Sequence, residues 1–83
     1  MANPRQLGDL LAWEGDDGDT YVAQTTRLFA IIFRWAGRRG YHWEIFVDGE
    51  VRCYGQARTL HSAIAHVEGN CIGRGFISKA ELP

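Results

Sequence analysis

Residues 33–55 read FRWAGRRGYHWEIFVDGEVRCYG, and the way this stretch folds back on itself decides the rest of the chain. GRRG (37–40) and DG (48–49) are the clearest turn signals, because glycine supplies the left-handed backbone that tight turns need. Between them lies YHWEIFV, rich in aromatic and β-branched residues, which favours a strand. With RLFAIIFRW before it and EVRCYG after it, the middle of the chain reads as a three-stranded meander.

A three-residue hairpin loop is commonly a type I turn closed by a residue in the left-handed region. Arg38-Arg39-Gly40 and Val47-Asp48-Gly49 both fit that form. Adopting both loops pairs Trp35 with Trp43 and Phe33 with Ile45, then Ile45 with Val51 and Trp43 with Cys53. One face of the sheet then carries Phe29, Ile31, Phe33, Trp35, Trp43, Ile45, Val51 and Cys53, and the other aligns Arg34, Glu44 and Arg52 in a row. Each cross-strand pair is worth only about 0.2–1 kcal/mol, but a one-residue slip would destroy both patterns together. Residues 27–36 have a rival helical reading, since Leu28, Ile31, Ile32 and Trp35 stand at helical spacing behind Thr25 or Thr26 as a cap. The β-branched and aromatic content and the register favour the strand.

After Gly55 the period changes. Leu60, Ala63, Ile64, Val67 and Cys71 recur at the spacing of an amphipathic helix, with Thr59 as N-cap and Gly69 or Gly73 as the stop. That helix, near residues 59–71, is expected to cover the apolar face of the sheet. Gly75–Leu82 reads as a last short strand or an irregular tail. Towards the N-terminus, Leu7, Leu10, Leu11 and Trp13 suit a short helix or a strand, EGDDGD (14–19) a polar turn, and TYVAQT (20–25) a strand. The expected fold class is therefore α+β: a small antiparallel meander of about three to five strands packed by one helix, the whole of residues 1–83 forming one small domain.

Composition agrees with a small globular domain. The 83 residues are 46% hydrophobic and 23% charged, too apolar for a disordered chain. No basic stretch leads into an apolar one as in a signal peptide, and the longest apolar run, Leu28 to Phe33, is six residues, too short to span a membrane. Two cysteines are far below the density of a disulfide scaffold, so a soluble cytoplasmic protein with reduced thiols is expected. Charge is uneven: residues 1–19 sum to −4 and residues 20–83 to +3, with Arg27, Arg34, Arg38 and Arg39 in thirteen residues that hold no acid. The net charge of −1 is far from that of a general nucleic-acid binder.

The residues that could carry chemistry do not assemble into a catalytic set. His61 and His66 are five apart on the helix, not at the four-residue spacing of a metal pair, and His42 is remote in sequence. Cys53 and Cys71 fall at core positions, where a thiol behaves as a small hydrophobe. No GxSxG, P-loop or HExxH occurs, and GNCIGRG (69–75) follows a helix, not the strand a phosphate loop requires. EGDDGD lacks the twelve-residue frame of a calcium loop. No enzyme activity, cofactor or metal is expected.

Binding is the alternative to chemistry. In this register the outer face offers Ile32, Phe46 and Tyr54 beside the Arg34–Glu44–Arg52 row, an apolar strip rimmed by charge of the kind that marks protein contacts. Glu44 in its middle would repel phosphate, which disfavours the competing reading, a single-stranded nucleic-acid module built on the arginine and aromatic hairpin. The strip could instead be covered by the segment holding Leu10, Leu11 and Trp13. The partner-binding residues expected from these patterns are Arg34, Arg38, Arg39, Phe46 and Tyr54, with Asp16, Asp17 and Asp19 as a second, anionic patch for a basic partner. A homodimer through the outer face or an edge of the sheet is a further expectation, since small domains gain stability by association.

The stretch WEIFVDGEVRCYGQARTLHSAIA (43–65), in which a hairpin closed by DG is followed by G-x-A-x-T and an alanine-rich helix, resembles small accessory proteins of phages and mobile elements of the anti-CRISPR inhibitor type. The resemblance covers about a quarter of the chain, and its motif carries no catalytic residue. It implies a compact non-enzymatic protein, acting in the cytoplasm of a bacterial host by occluding a surface on a CRISPR-associated nuclease complex.

Overall fold

The computed structural model describes residues 10–16, 19–34 and 39–77. Five strands, β1 (Glu14–Asp16), β2 (Thr20–Gln24), β3 (Leu28–Arg34), β4 (Tyr41–Val47) and β5 (Glu50–Ala57), precede one helix, α1 (Leu60–Gly73). The strands form one antiparallel sheet in the order β1-β2-β3-β4-β5, so each neighbour in space is the neighbour in sequence. The fold is α+β, a five-stranded meander with one helix, and residues 28–34 are strand, not helix. Among the described residues no helix is long and apolar enough to cross a membrane.

The helix forms as its pattern dictates. Thr59 is extended, and its Oγ1 accepts from the Ser62 amide at 3.0 Å, satisfying one of the first-turn donors that would otherwise lack a partner. Ala63, Ile64, Val67 and Cys71 turn onto the sheet and are buried. The stop falls at Gly73, and the chain turns back through Gly75, at φ +73°. There the amides of Phe76 and Ile77 both donate to the Cys71 carbonyl, at 2.8 and 3.3 Å, and Ile77 is tucked into the core.

The sheet register differs from the sequence-based one. Phe33 stands opposite His42, not Ile45, and Trp43 opposite Ile32. The displacement is three residues, an odd number, so every side chain of β3 changes face. Leu28, Ala30 and Ile32 point to the helix and are buried; Phe29, Ile31 and Phe33 point away. The reason is the loop. β3 ends at Arg34 and β4 starts at Tyr41, so six residues connect them and Arg38-Arg39-Gly40 is only part of the turn. Gly40 does take the left-handed backbone expected of it, at φ +88°. Trp35, expected in the core opposite Trp43, lies outside the described residues.

The second hairpin is also tighter than expected. Val47 pairs with Glu50 across Asp48-Gly49, whose φ values of +53° and +85° are those of a two-residue type I′ turn. Phe46 then opposes Val51, and Ile45 opposes Cys53, which leaves Arg52 as the extra residue of a bulge. The expected pairs Ile45–Val51 and Trp43–Cys53 are thus replaced by Ile45–Cys53 and Trp43–Gly55. Cys53 keeps the helix-facing side foreseen for it, whereas Val51 is half exposed on the other face. Gly55 is required where it stands, because a Cβ there would lie 2.6 Å from Cζ2 of Trp43.

The core is the layer between sheet and helix. It joins Leu11, Trp13, Ala23, Leu28, Ala30, Ile32, Trp43, Ile45 and Val47 to Ala63, Ile64, Val67, Cys71 and Ile77. Leu11 and Trp13 therefore close the helix side of the sheet and do not fold over its outer face.

Candidate docking face

The helix-free face follows from the turned β3. Three rows of side chains cross it: Gln24–Phe29–Phe46–Val51, Glu14–Val22–Ile31–Glu44–Tyr54 and Thr20–Phe33–His42–Gln56. A strand normally presents polar residues on the side away from its core. Here β3 presents Phe29, Ile31 and Phe33 there, so LFAIIF is apolar on both faces. Among the described residues the helix and the N-terminal segment pack on the opposite side, and none packs over these rows.

The rings on this face touch one another. Phe29 and Phe46 meet edge to face with centroids 5.9 Å apart, Phe33 and His42 lie 5.0 Å apart, and Tyr54 is stacked 6.4 Å from His42. Such contacts hold the rings in fixed positions and shield each from water, leaving all but Tyr54 half-buried. Tyr54 is 70% exposed. In the middle, Nε2 of His42 lies 3.2 Å from Oε2 of Glu44, an imidazole–carboxylate pair inside an otherwise apolar surface.

The arginines are deployed elsewhere. Arg27 grips Asp48 with Nε at 3.0 Å from Oδ1 and its terminal nitrogen at 2.7 Å from Oδ2, and its carbonyl accepts from the Asp48 amide. This clasp joins the β2–β3 and β4–β5 turns at one end of the sheet, and the Arg27 guanidinium holds the Asp48 carboxyl below its ordinary range. Arg34 corrects an expectation: it opposes Tyr41, with its guanidinium carbon 5.4 Å from that ring, and shares the helix-facing side of β3. No Arg34–Glu44–Arg52 row exists, because Glu44 lies between Ile31 and Tyr54 and Arg52 sits at the bulge.

Phe46 and Tyr54, expected as binding residues, do lie on the helix-free face; Ile32, expected beside them, is buried under the helix. Arg39 is exposed in the β3–β4 loop, and Arg38 lies outside the described residues. Asp16 ends β1, Asp19 is exposed just before β2, and Asp17 lies outside the described residues. Glu44 stands on this face as expected, and Phe29, Ile31 and Phe33 are the members that sequence reasoning missed. Their signal was the uninterrupted apolar run of β3, which leaves one face of that strand without a core to join.

Burial pushes the Cys71 thiol up to about 12 and raises that of Cys53, so neither is a ready thiolate. Among the described residues no three His, Cys, Asp or Glu side chains come together as metal ligands. No protein-family model, curated protein or solved structure matches this chain.

Proposed function

We propose that this chain is a non-enzymatic binding protein that docks on a partner protein through the helix-free face of its sheet and blocks that partner sterically. The observation that carries the reading is the row Phe29–Phe46–Val51 beside Ile31, Phe33 and Tyr54, an aromatic surface with no described element over it. Apolar patches of this kind bordered by polar groups are what protein interfaces are built from, with aromatic residues supplying most of the contact energy. The complementary surface is apolar, with a cationic or donor group placed to meet Glu44. The resemblance of residues 43–65 to anti-CRISPR-type phage proteins makes a CRISPR-associated nuclease complex the partner to test first.

Four rings on an open sheet also suit single-stranded nucleic acid, whose bases stack on such platforms. Backbone phosphates then need nearby cations. Glu44 stands in the centre of this face, Arg27 is engaged with Asp48, and Arg34 lies against Tyr41 on the other side. These placements favour the protein partner.

The test has two arms. Labelled single-stranded and duplex oligonucleotides titrated at two salt concentrations should show no tight binding; tight binding that weakens steeply with salt would overturn the protein reading. Reconstituted CRISPR nuclease complexes should be inhibited by the wild-type chain and not by Tyr54→Glu combined with Phe46→Glu. Inhibition that survives both substitutions would remove this face from the site.

A further inference from the structure

The sheet has two edges, and they differ. β1 is only three residues long, so it offers little backbone to a second strand. β5 is eight residues long, and among the described residues its backbone is bonded on one side only, to β4. An edge of that length presents a row of N–H and C=O groups ready to pair with another strand. We infer that β5 pairs antiparallel with β5 of a second copy of this chain, about a two-fold axis at Tyr54, to give one ten-stranded sheet.

Symmetry and charge select the register. A two-fold axis through an antiparallel pair sets one residue opposite its own copy. The bulge at Arg52 ends the regular backbone of β5, so with the axis at Tyr54 straight pairing runs over Cys53–Gly55 and the strand beyond follows the bulge. With the axis at Tyr54, Glu50 of each copy arrives beside Ala57 and Arg58 of the other, and Arg52 faces Gln56. Opposite charges then neighbour each other twice and like charges do not meet. An axis at Gly55 brings Arg52 against Arg58, and an axis at Cys53 moves Glu50 away from Arg58.

The same axis accounts for Tyr54, the most exposed large hydrophobic side chain among the described residues of the sheet. It puts the two Tyr54 rings side by side on the helix-free face, where each covers the other. Because the axis is perpendicular to the sheet, both helix-free faces lie on one side and both helices on the other. Dimerisation joins the two aromatic surfaces and covers only the Tyr54 rings where they meet. The inference rests on the β5 edge alone and does not depend on which partner the face binds.

Sedimentation equilibrium of the full chain, without any partner, tests this over a wide concentration range. A monomer–dimer equilibrium is expected. Glu50→Arg and Arg58→Glu should each weaken it by about ten-fold, and the two together should restore it, since the charges are exchanged and not lost. Tyr54→Lys, which sets two cations at the axis, should give a monomer with an unchanged far-ultraviolet spectrum. A wild-type chain that is monomeric at every concentration, growth past the dimer, or a dimer indifferent to these substitutions would overturn the proposal.

Discussion

The Glu68 carboxylate of α1 holds the N-terminal segment: Oε2 accepts from the Leu11 amide at 3.0 Å and from Trp13 Nε1 at 3.1 Å. Glu68 is the one buried charged residue among those described, and Trp13 has no exposed surface. The acceptor and both donors were taken out of water together, so each group is stabilised only while the others are present. Removing the acceptor should be costly. Glu68→Ala leaves two buried donors without it and should destabilise by about 2–5 kcal/mol, whereas Glu68→Gln keeps a carbonyl oxygen and should cost less. Chemical denaturation followed by tryptophan fluorescence measures both, and equal costs would show that the hydrogen bonds do not hold this segment.

Two glycines predict opposite outcomes for the same change. Gly55→Ala drives a methyl to within 2.6 Å of the Trp43 ring, which is itself packed in the core, and should destabilise by about 1–3 kcal/mol. Gly69→Ala falls in the helix with nothing within 4 Å of the new methyl and should stabilise by about 0.5–1 kcal/mol. Melting curves of the two variants should move to opposite sides of the wild type.

Why Gly55 faces Trp43 was not legible in the sequence, and the reason extends to the whole register. The strand character of YHWEIFV, the helix with its Thr59 cap, and the turn at Asp48-Gly49 were all readable, because each is encoded locally by side-chain period or glycine. The facing of β3 was not. In LFAIIF both alternating sets, Leu28–Ala30–Ile32 and Phe29–Ile31–Phe33, are apolar, so the strand pattern does not say which set is core. The choice passes to the loop length, and GRRG resembles a complete three-residue turn although six residues make the connection. The bulge at Arg52 leaves no mark of its own in EVRCYG. Glu68 carries no local signal either: it lies four residues after Ile64 on the buried stripe, where a carboxylate is rarely found.

Cys71 should be chemically silent in the folded protein. Burial, reinforced by the neighbouring Cys53 and Glu68, raises its pKa from the ordinary 9.0 to about 12. The thiol therefore stays protonated at neutral pH and resists alkylation until the chain unfolds. Because the folded pKa is the higher one, the linked stability is fully present below pH 9.0 and is lost as pH rises towards about 12. Cys71→Ala should flatten that alkaline decline in a stability–pH profile. An unchanged decline would assign it to other groups.

The docking face exists only because β3 is turned as described, and two adjacent isoleucines report on that directly. Ile32 has no exposed surface and lies under the helix, whereas Ile31 stands on the open face between Val22 and Glu44. A lysine at position 32 would bury an unpaired charge, which single domains of this size do not tolerate. A lysine at position 31 keeps its ammonium in water beside Glu44. The measurement is equilibrium unfolding of Ile31→Lys and Ile32→Lys side by side. The account predicts that Ile31→Lys folds within about 1 kcal/mol of the wild type while Ile32→Lys does not fold; a folded Ile32→Lys beside an unfolded Ile31→Lys would contradict it.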